Sequence, residues 1–162
     1  MKAAQHPRAI SFQNIISDFG LSHQVLEFEE STHSAQDAAD AIGCKLGQIV
    51  KSIVFKGTQS GNPIVVLTCG DNLVDIEKIR KIANEDLEKA NAEFVRESTG
   101  YSIGGVPPFG HTSAFHIYFD EDFMKYELLW AAAGTPNAVF PISPLELKQI
   151  TKAEEANIRI ED

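Results

Sequence analysis

Cysteine is almost absent: Cys44 and Cys69 are the two among 162 residues, and they form neither a disulfide framework nor a metal-binding spacing. Such usage fits a reducing cytoplasm, the expected location. Basic residues are also scarce, 14 Lys+Arg against 23 Asp+Glu, for a formal net charge of -9. That balance argues against a basic protein that coats DNA. No apolar run approaches the roughly 18–20 residues of a membrane span, and the longest toward the C-terminal end is Leu128–Ala133. Met1–Arg8 has no apolar stretch behind its charges, so no secretory signal is expected. The loops of several large enzyme classes are missing too: G-x-S-x-G, the Walker loop, G-x-G-x-x-G and H-E-x-x-H. The histidines at 6, 23, 33, 111 and 116 are scattered, so no metal site is expected, and nothing calls for a cofactor.

What is present is globular: 43% apolar residues and 23% charged ones. One core suits this length, and residues 1–162 read as a single domain. Charge is unevenly spread. Ala41–Gly70 holds no acid and three lysines, Lys45, Lys51 and Lys56, so the rest of the chain carries -12. Ser98–Phe119 holds no Asp, Glu, Lys or Arg at all. Either these windows are core strands and a loop, or they are the places where an anionic ligand is tolerated.

Hydrophobic spacing predicts a helix over 10–19 ended by Gly20, with Phe12, Ile15, Ile16 and Phe19 on one face. Gln24–Glu30 alternates as a half-exposed strand. Ser34 caps a helix that runs through Ala35, Ala38, Ala39 and Ile42 to Gly43. Ile49–Phe55 and Ile64–Thr68 read as a hairpin. Short helices are expected at Asp75–Ala83 and Glu85–Asn91, and strands at Ala114–Phe119, Glu127–Trp130 and Val139–Ile142. Ser143 caps a last helix from Pro144. This mixture predicts an α/β fold with a mixed sheet and helices around it.

Two features can carry chemistry. Lys51 lies in Ile49–Phe55, a strand apolar on both faces, where a period of two sets it beside Ile49, Ile53 and Phe55. A lysine there is costly unless its ammonium escapes along the surface or finds a partner in a wet cleft. One reading is a snorkelling side chain; the other is a cation at the floor of a ligand site. The second feature is Thr99–His111, with four glycines and adjacent Pro107 and Pro108. It reads as an ordinary turn, or as a rigid loop presenting unbonded N–H groups from Gly104, Gly105, Val106 or Phe109. Amides aimed at one point are what an ester hydrolase uses to hold a developing oxyanion.

The Ala38–Ala39 helix ended by Gly43, the strand around Lys51 and Ser52, and Thr99-Gly100-Tyr101 leading into Gly104–Gly110 resemble the YbaK/EbsC family. Ala131-Ala132-Ala133-Gly134 and the closing Ile142–Leu147 do likewise, so the resemblance runs over about 31–147. That family includes free-standing deacylases of mischarged tRNA(Pro) and the editing insertion of bacterial prolyl-tRNA synthetase. The resemblance implies a single α/β domain with a mixed, barrel-like sheet surrounded by helices, and hydrolysis, in trans, of the ester joining a wrong amino acid to a tRNA 3′ end. Catalysis would rest on Lys51 and on the loop Gly104, Gly105, Val106 and Pro108. Ser52, Pro107, Phe109, Gly110, His111, Ala132, Ala133 and Gly134 would contact substrate. No side-chain nucleophile is implied, since a ribose hydroxyl or a water attacks. Where cysteine-specific members carry a serine and an acid, this sequence has Ala132 and Val139, a more apolar pocket. The expected partners are the mischarged tRNA end and an aminoacyl-tRNA synthetase that delivers it, with no DNA and no membrane. The alternative is a catalytically silent module that holds a nucleotide or an aminoacyl-adenylate-like ligand in the same cleft.

Overall fold

A computed structural model describes residues 1–113 and 115–161. Its first half runs β1 (Lys2–Ala3), α1 (Pro7–Asp18), β2 (Leu26–Glu27), α2 (Ala35–Ile42), β3 (Ile49–Gly57), β4 (Pro63–Cys69) and α3 (Ile76–Ala83). Then follow β5 (Leu87–Lys89), α4 (Ala92–Thr99), β6 (His116–Asp120), β7 (Leu129–Ala132), β8 (Ala138–Ile142), α5 (Pro144–Thr151) and β9 (Glu154–Ala156). No helix among the described residues is long and apolar enough to cross a membrane.

The expected hairpin is the spine of the sheet. β3 and β4 pair antiparallel, with Lys51 opposite Thr68 and Val54 opposite Val65. β6 adds parallel to β4, and β9 parallel to β6. On its other edge β3 is shared. Ile49 and Val50 pair parallel with β7, while Phe55–Gly57 pair antiparallel with β5. Beyond β7 lie β8, β2 and β1, which completes a mixed nine-stranded sheet. Residues 51–53 therefore have no strand on that edge, and the sheet is split there.

The strand period sorts the core into two main layers. Val65 and Leu67 of β4 pack with Phe12, Ile16, Phe119, Phe140 and Leu147 beneath α1 and α5. Ile64 and Val66 face the other way, onto Phe55, Ile79, Tyr118 and Ile158 beside α3. A third cluster, Phe28, Ala38, Ala39, Ile49 and Val139, holds α2 against the split edge. Phe12, Phe119 and Phe140 are wholly buried, and each such side chain contributes roughly 1.5–3 kcal/mol.

Local signals set the helix ends. Ser34 Oγ accepts from the Asp37 N–H, and Gly43 closes α2 in the left-handed region at φ 83°. Ser143 and Glu146 form a reciprocal capping box at α5. Other expectations needed correction. The first helix begins at Pro7, buries Ala9, Phe12 and Ile16, and leaves Phe19 outside as its cap. The strand expected at Gln24–Glu30 shrinks to Leu26–Glu27. Glu85–Asn91 is not a helix: residues 87–89 are edge strand β5, drawn to β3 because Leu87 packs beside Phe55. The helix in this region is α4, a segment not expected to be helical, and it starts only after Asn91, whose side chain accepts from the Phe94 N–H. β7 sits at Leu129–Ala132, two residues beyond the expected start. β6 begins at His116, and Ala114, part of the strand expected there, lies outside the described residues.

Candidate active site

The split in the sheet is where the two chemistry-bearing features meet. Gly57 N–H bonds to Asn62 O and Gly70 N–H to Ile49 O, so odd-numbered residues of β3 turn their main-chain groups toward β4. Ser52 therefore turns its own N–H and C=O toward the gap. Its hydroxyl is shielded from solvent and has no hydrogen-bond partner among the described residues. An unmet buried hydroxyl is costly, and a ligand group there would satisfy it.

Lys51 is half-buried, and its Nζ donates to the main-chain oxygen of Asn72 at 2.9 Å. No carboxylate forms an ion pair with it among the described residues. Burial pulls its pKa below the ordinary lysine value, against the opposing pull of Asp71 and Asp120. The nearby Cys69 thiol is pushed well up, first by burial and then by Asp120, so it is no nucleophile.

The glycine–proline loop supplies the facing wall. Gly104 sits at φ 90°, a conformation that excludes ordinary side chains. The Gly105 N–H is already spent on Ser102 O at 3.0 Å, so it is not one of the open amides. No bond from the Gly104 or Val106 N–H is found among the described residues. Gly105 also presses on the next loop: a Cβ there would stand 2.9 Å from Thr135 Cα. Behind it, Phe109 anchors the loop with ring centroids 5.4 Å from Phe12 and 5.7 Å from Phe140. His111 Nε2 donates to Pro107 O at 2.6 Å.

Lys51, Ser52, Gly104, Val106 and Ala132 line one cleft of about 260 Å³. Phe28, Ile49, Trp130 and Val139 supply its apolar walls, and Thr32–Ala35, Ala38 and Pro136 its mouth. Lys51 is the one Lys or Arg among the described lining residues, and no acid lines it. The other expected contact residues are not in the cleft. Gly105, Pro107 and Pro108 are buried behind its wall, and Ala133 is core. Gly134, at φ 98°, packs on Arg8 O and Tyr101. Phe109, Gly110 and His111 border a second hollow with Phe19, Phe115 and Lys152. Lys56 sets its ammonium over the Phe94 ring, 5.2 Å from the centroid, away from the cleft lining. The α2 entrance, Phe28 and Pro136 were not expected from the sequence, because they reach the site through loops far apart in the chain.

No Ser, Thr or Cys side chain bonds to a histidine among the described residues; the ring partners are the Arg8 N–H, Glu146, Pro107 O and Glu154. The cleft thus combines one Lys or Arg, two amides without a bond and, among the described residues, no nucleophile–base pair, on an α/β fold. The chain belongs to the family described as the aminoacyl-tRNA editing domain, whose model matches residues 29–150. It is 29% identical over 141 residues to the uncharacterized YwhH of Bacillus subtilis, covering 87% of this chain and 89% of that one. EbsC of Enterococcus faecalis, named as a candidate Cys-tRNA(Pro)/Cys-tRNA(Cys) deacylase, is 27% identical over 132 residues, 81% of this chain and 80% of EbsC. A crystal structure described as a candidate trans-editing enzyme for prolyl tRNA synthetase superposes with a TM-score of 0.92 at 39% identity. That match covers 98% of this chain and 100% of the other. The proline–tRNA ligase of Maridesulfovibrio salexigens is 28% identical over 134 residues, 79% of this chain but 22% of the ligase.

Proposed function

We propose that this chain is a deacylase acting in trans on mischarged tRNA, with Lys51 and the amides of Gly104 and Val106 as its catalytic groups. The supporting observation is that Lys51, Gly104 and Val106 line, with Ser52, one acid-free cleft. The ester carbonyl lies between the Lys51 ammonium and the unbonded N–H groups of the loop. A water adds to the carbonyl carbon, and negative charge builds on the carbonyl oxygen where these donors converge. The bond to the ribose oxygen then breaks, that oxygen takes a proton from the attacking water, and the free amino acid and intact tRNA leave. Ser52 holds the polar part of the aminoacyl group, while its side chain faces Phe28, Ile49, Trp130, Ala132 and Val139. Pro108 and Gly105 act by fixing the loop, and Gly134 by seating the neighbouring one. At about 260 Å³ the cleft is below the roughly 300–1,000 Å³ of drug-sized ligand pockets, so it suits the terminal aminoacyl part alone. A protein of this charge engages few phosphates, so a synthetase in the cytoplasm is a fitting source of substrate.

The test is a panel of tRNAs charged wrongly with Ala, Ser, Cys or Thr. Hydrolysis of at least one above the uncatalysed rate is expected. No hydrolysis of any, with an aminoacyl-adenosine analogue still bound, would mean a silent binding module instead.

A further inference from the structure

We infer that Asn72, clamped by the buried carboxylate of Asp120, is a positioning residue that sets the Lys51 ammonium in the cleft. The inference rests on the deacylase reading of that cleft. A lysine stem is flexible, so where its ammonium sits is decided by what accepts its hydrogen bonds. The one protein acceptor found for Lys51 is the main-chain oxygen of Asn72, at 2.9 Å.

That oxygen is not on a loose loop. The Asn72 N–H donates to Cys69 O at 3.0 Å, closing a tight turn at the end of β4. The Asn72 side-chain amide donates to Asp120 and to Asp122, both at 2.9 Å, reaching 48 residues along the chain to the end of β6. Asp120 is fully buried and has no cationic partner among the described residues. Such a carboxylate is retained only when its lone pairs are met. They are met by Thr68 Oγ1, the Cys69 N–H, the Asn72 amide and the Asp122 N–H. Most of these donors belong to the end of β4 and its turn, so Asp120 ties that turn to β6 and aims the Asn72 carbonyl at Lys51.

The choice of a carbonyl matters for the chemistry. A carboxylate in contact would neutralise the ammonium and occupy it. A carbonyl takes one N–H and leaves the charge and two donors for the ligand. Asp71 and Asp120 act on the ammonium through space, opposing the burial that would strip its proton.

The experiment compares the full chain with its Asn72→Ala variant by two readouts. The first is steady-state hydrolysis of a mischarged tRNA. The second is the titration of Lys51 itself, followed by NMR of protein carrying isotope-labelled lysine and assigned with Lys51→Ala. In Asn72→Ala, kcat is expected to fall roughly tenfold to a hundredfold with KM little changed, and the Lys51 titration to move. Ser143→Ala removes the cap of α5, away from the cleft lining and from the Asp120 bonds, and is expected to lower the melting temperature while leaving kcat alone. Should Asn72→Ala not fold, Asn72→Ser carries the same expectations. A folded variant with wild-type kcat and an unmoved titration would overturn the inference, as would an equal kcat loss in Ser143→Ala. If the unaltered protein hydrolyses nothing, the deacylase reading fails, and the titration alone decides whether Asn72 positions Lys51.

Discussion

Gly105 and Thr135 lie in such close contact that a Cβ on the glycine would meet the Thr135 Cα at 2.9 Å. Two loops, one before Pro107 and one after β7, are thereby locked face to face behind the cleft wall. The three nearest atoms, Thr135 Cα, Thr135 C and Gly134 O, are all backbone, so a methyl group can enter only if backbone moves. Gly105→Ala is expected to cost about 1–3 kcal/mol and to lower kcat by displacing the Gly104 and Val106 amides. Thermal melting and single-turnover deacylation check both effects, and an unchanged melting temperature would mean the loops separate freely.

The alkaline limb of the activity profile reports on Lys51. Burial lowers its pKa against the pull of Asp71 and Asp120, so its proton leaves below the ordinary lysine value of about 10.4. Activity that needs the ammonium is lost as pH rises through that folded value. The same shift has the opposite sign for stability. The unfolded chain binds the proton more tightly, so this group's contribution to folding rises over the same range. Falling kcat with no matching fall in melting temperature is the expected pattern, and a profile flat to the ordinary lysine value would contradict it.

Glu27 contributes to the acid side, with Asp122 and Glu146, whose carboxyls are also held down. Glu27 is a buried carboxylate that accepts from the main-chain N–H groups of Gln5 and His6, both at 2.7 Å. Burial pushes its pKa up, but these bonds together with Lys2 and His6 win, and the net shift is downward. A depressed carboxylate gives stability that is present above its unfolded value, about 4.3, and is lost as pH falls through the folded one. Glu27→Gln is expected to melt lower at neutral pH and to show a weaker acid dependence. Melting curves at stepwise lower pH distinguish the two proteins.

Much of the frame was legible locally. The Ser34 cap, Gly43 stop, Ser143 capping box and β3–β4 hairpin were each visible within a few residues of sequence. The polar interruption at Lys51 of an apolar strand pointed to the cleft, and Gly104 to its wall. What failed was non-local. Residues 87–89 have helix-like composition, but they gain more by pairing with Phe55–Gly57 than by forming an isolated turn. The Asn72–Asp120 bond joins positions 48 apart, and no spacing rule marks it. Likewise, Phe109–His111 look like part of one loop with Gly104, yet the chain bends at the prolines, and Phe109 turns into the aromatic core.

Capture of tRNA should depend weakly on salt. Lys51 is the one Lys or Arg among the described cleft residues, Lys56 is engaged with Phe94, and the chain carries -9 overall. Two or three phosphate contacts give a log–log slope near about -2, from roughly -0.7 per contact for single-stranded ends. Affinity measured across a salt series tests this, and a slope steeper than about -4 would reveal a basic surface that the protein does not carry. Charge reversal at Lys45, which is exposed just ahead of β3, is expected to raise KM more than it lowers kcat.

The most direct measurement is single-turnover hydrolysis of a mischarged tRNA by the unaltered protein and by Lys51→Ala, with circular dichroism and melting recorded for both. Lys51 sits at the cleft through one hydrogen bond to a main-chain carbonyl, and no ion pair to it is found among the described residues. Its removal should therefore leave the fold intact. The expected result is a folded variant whose hydrolysis rate falls to background. A folded Lys51→Ala protein that turns over at the unaltered rate would show that the cleft ammonium has no part in the chemistry.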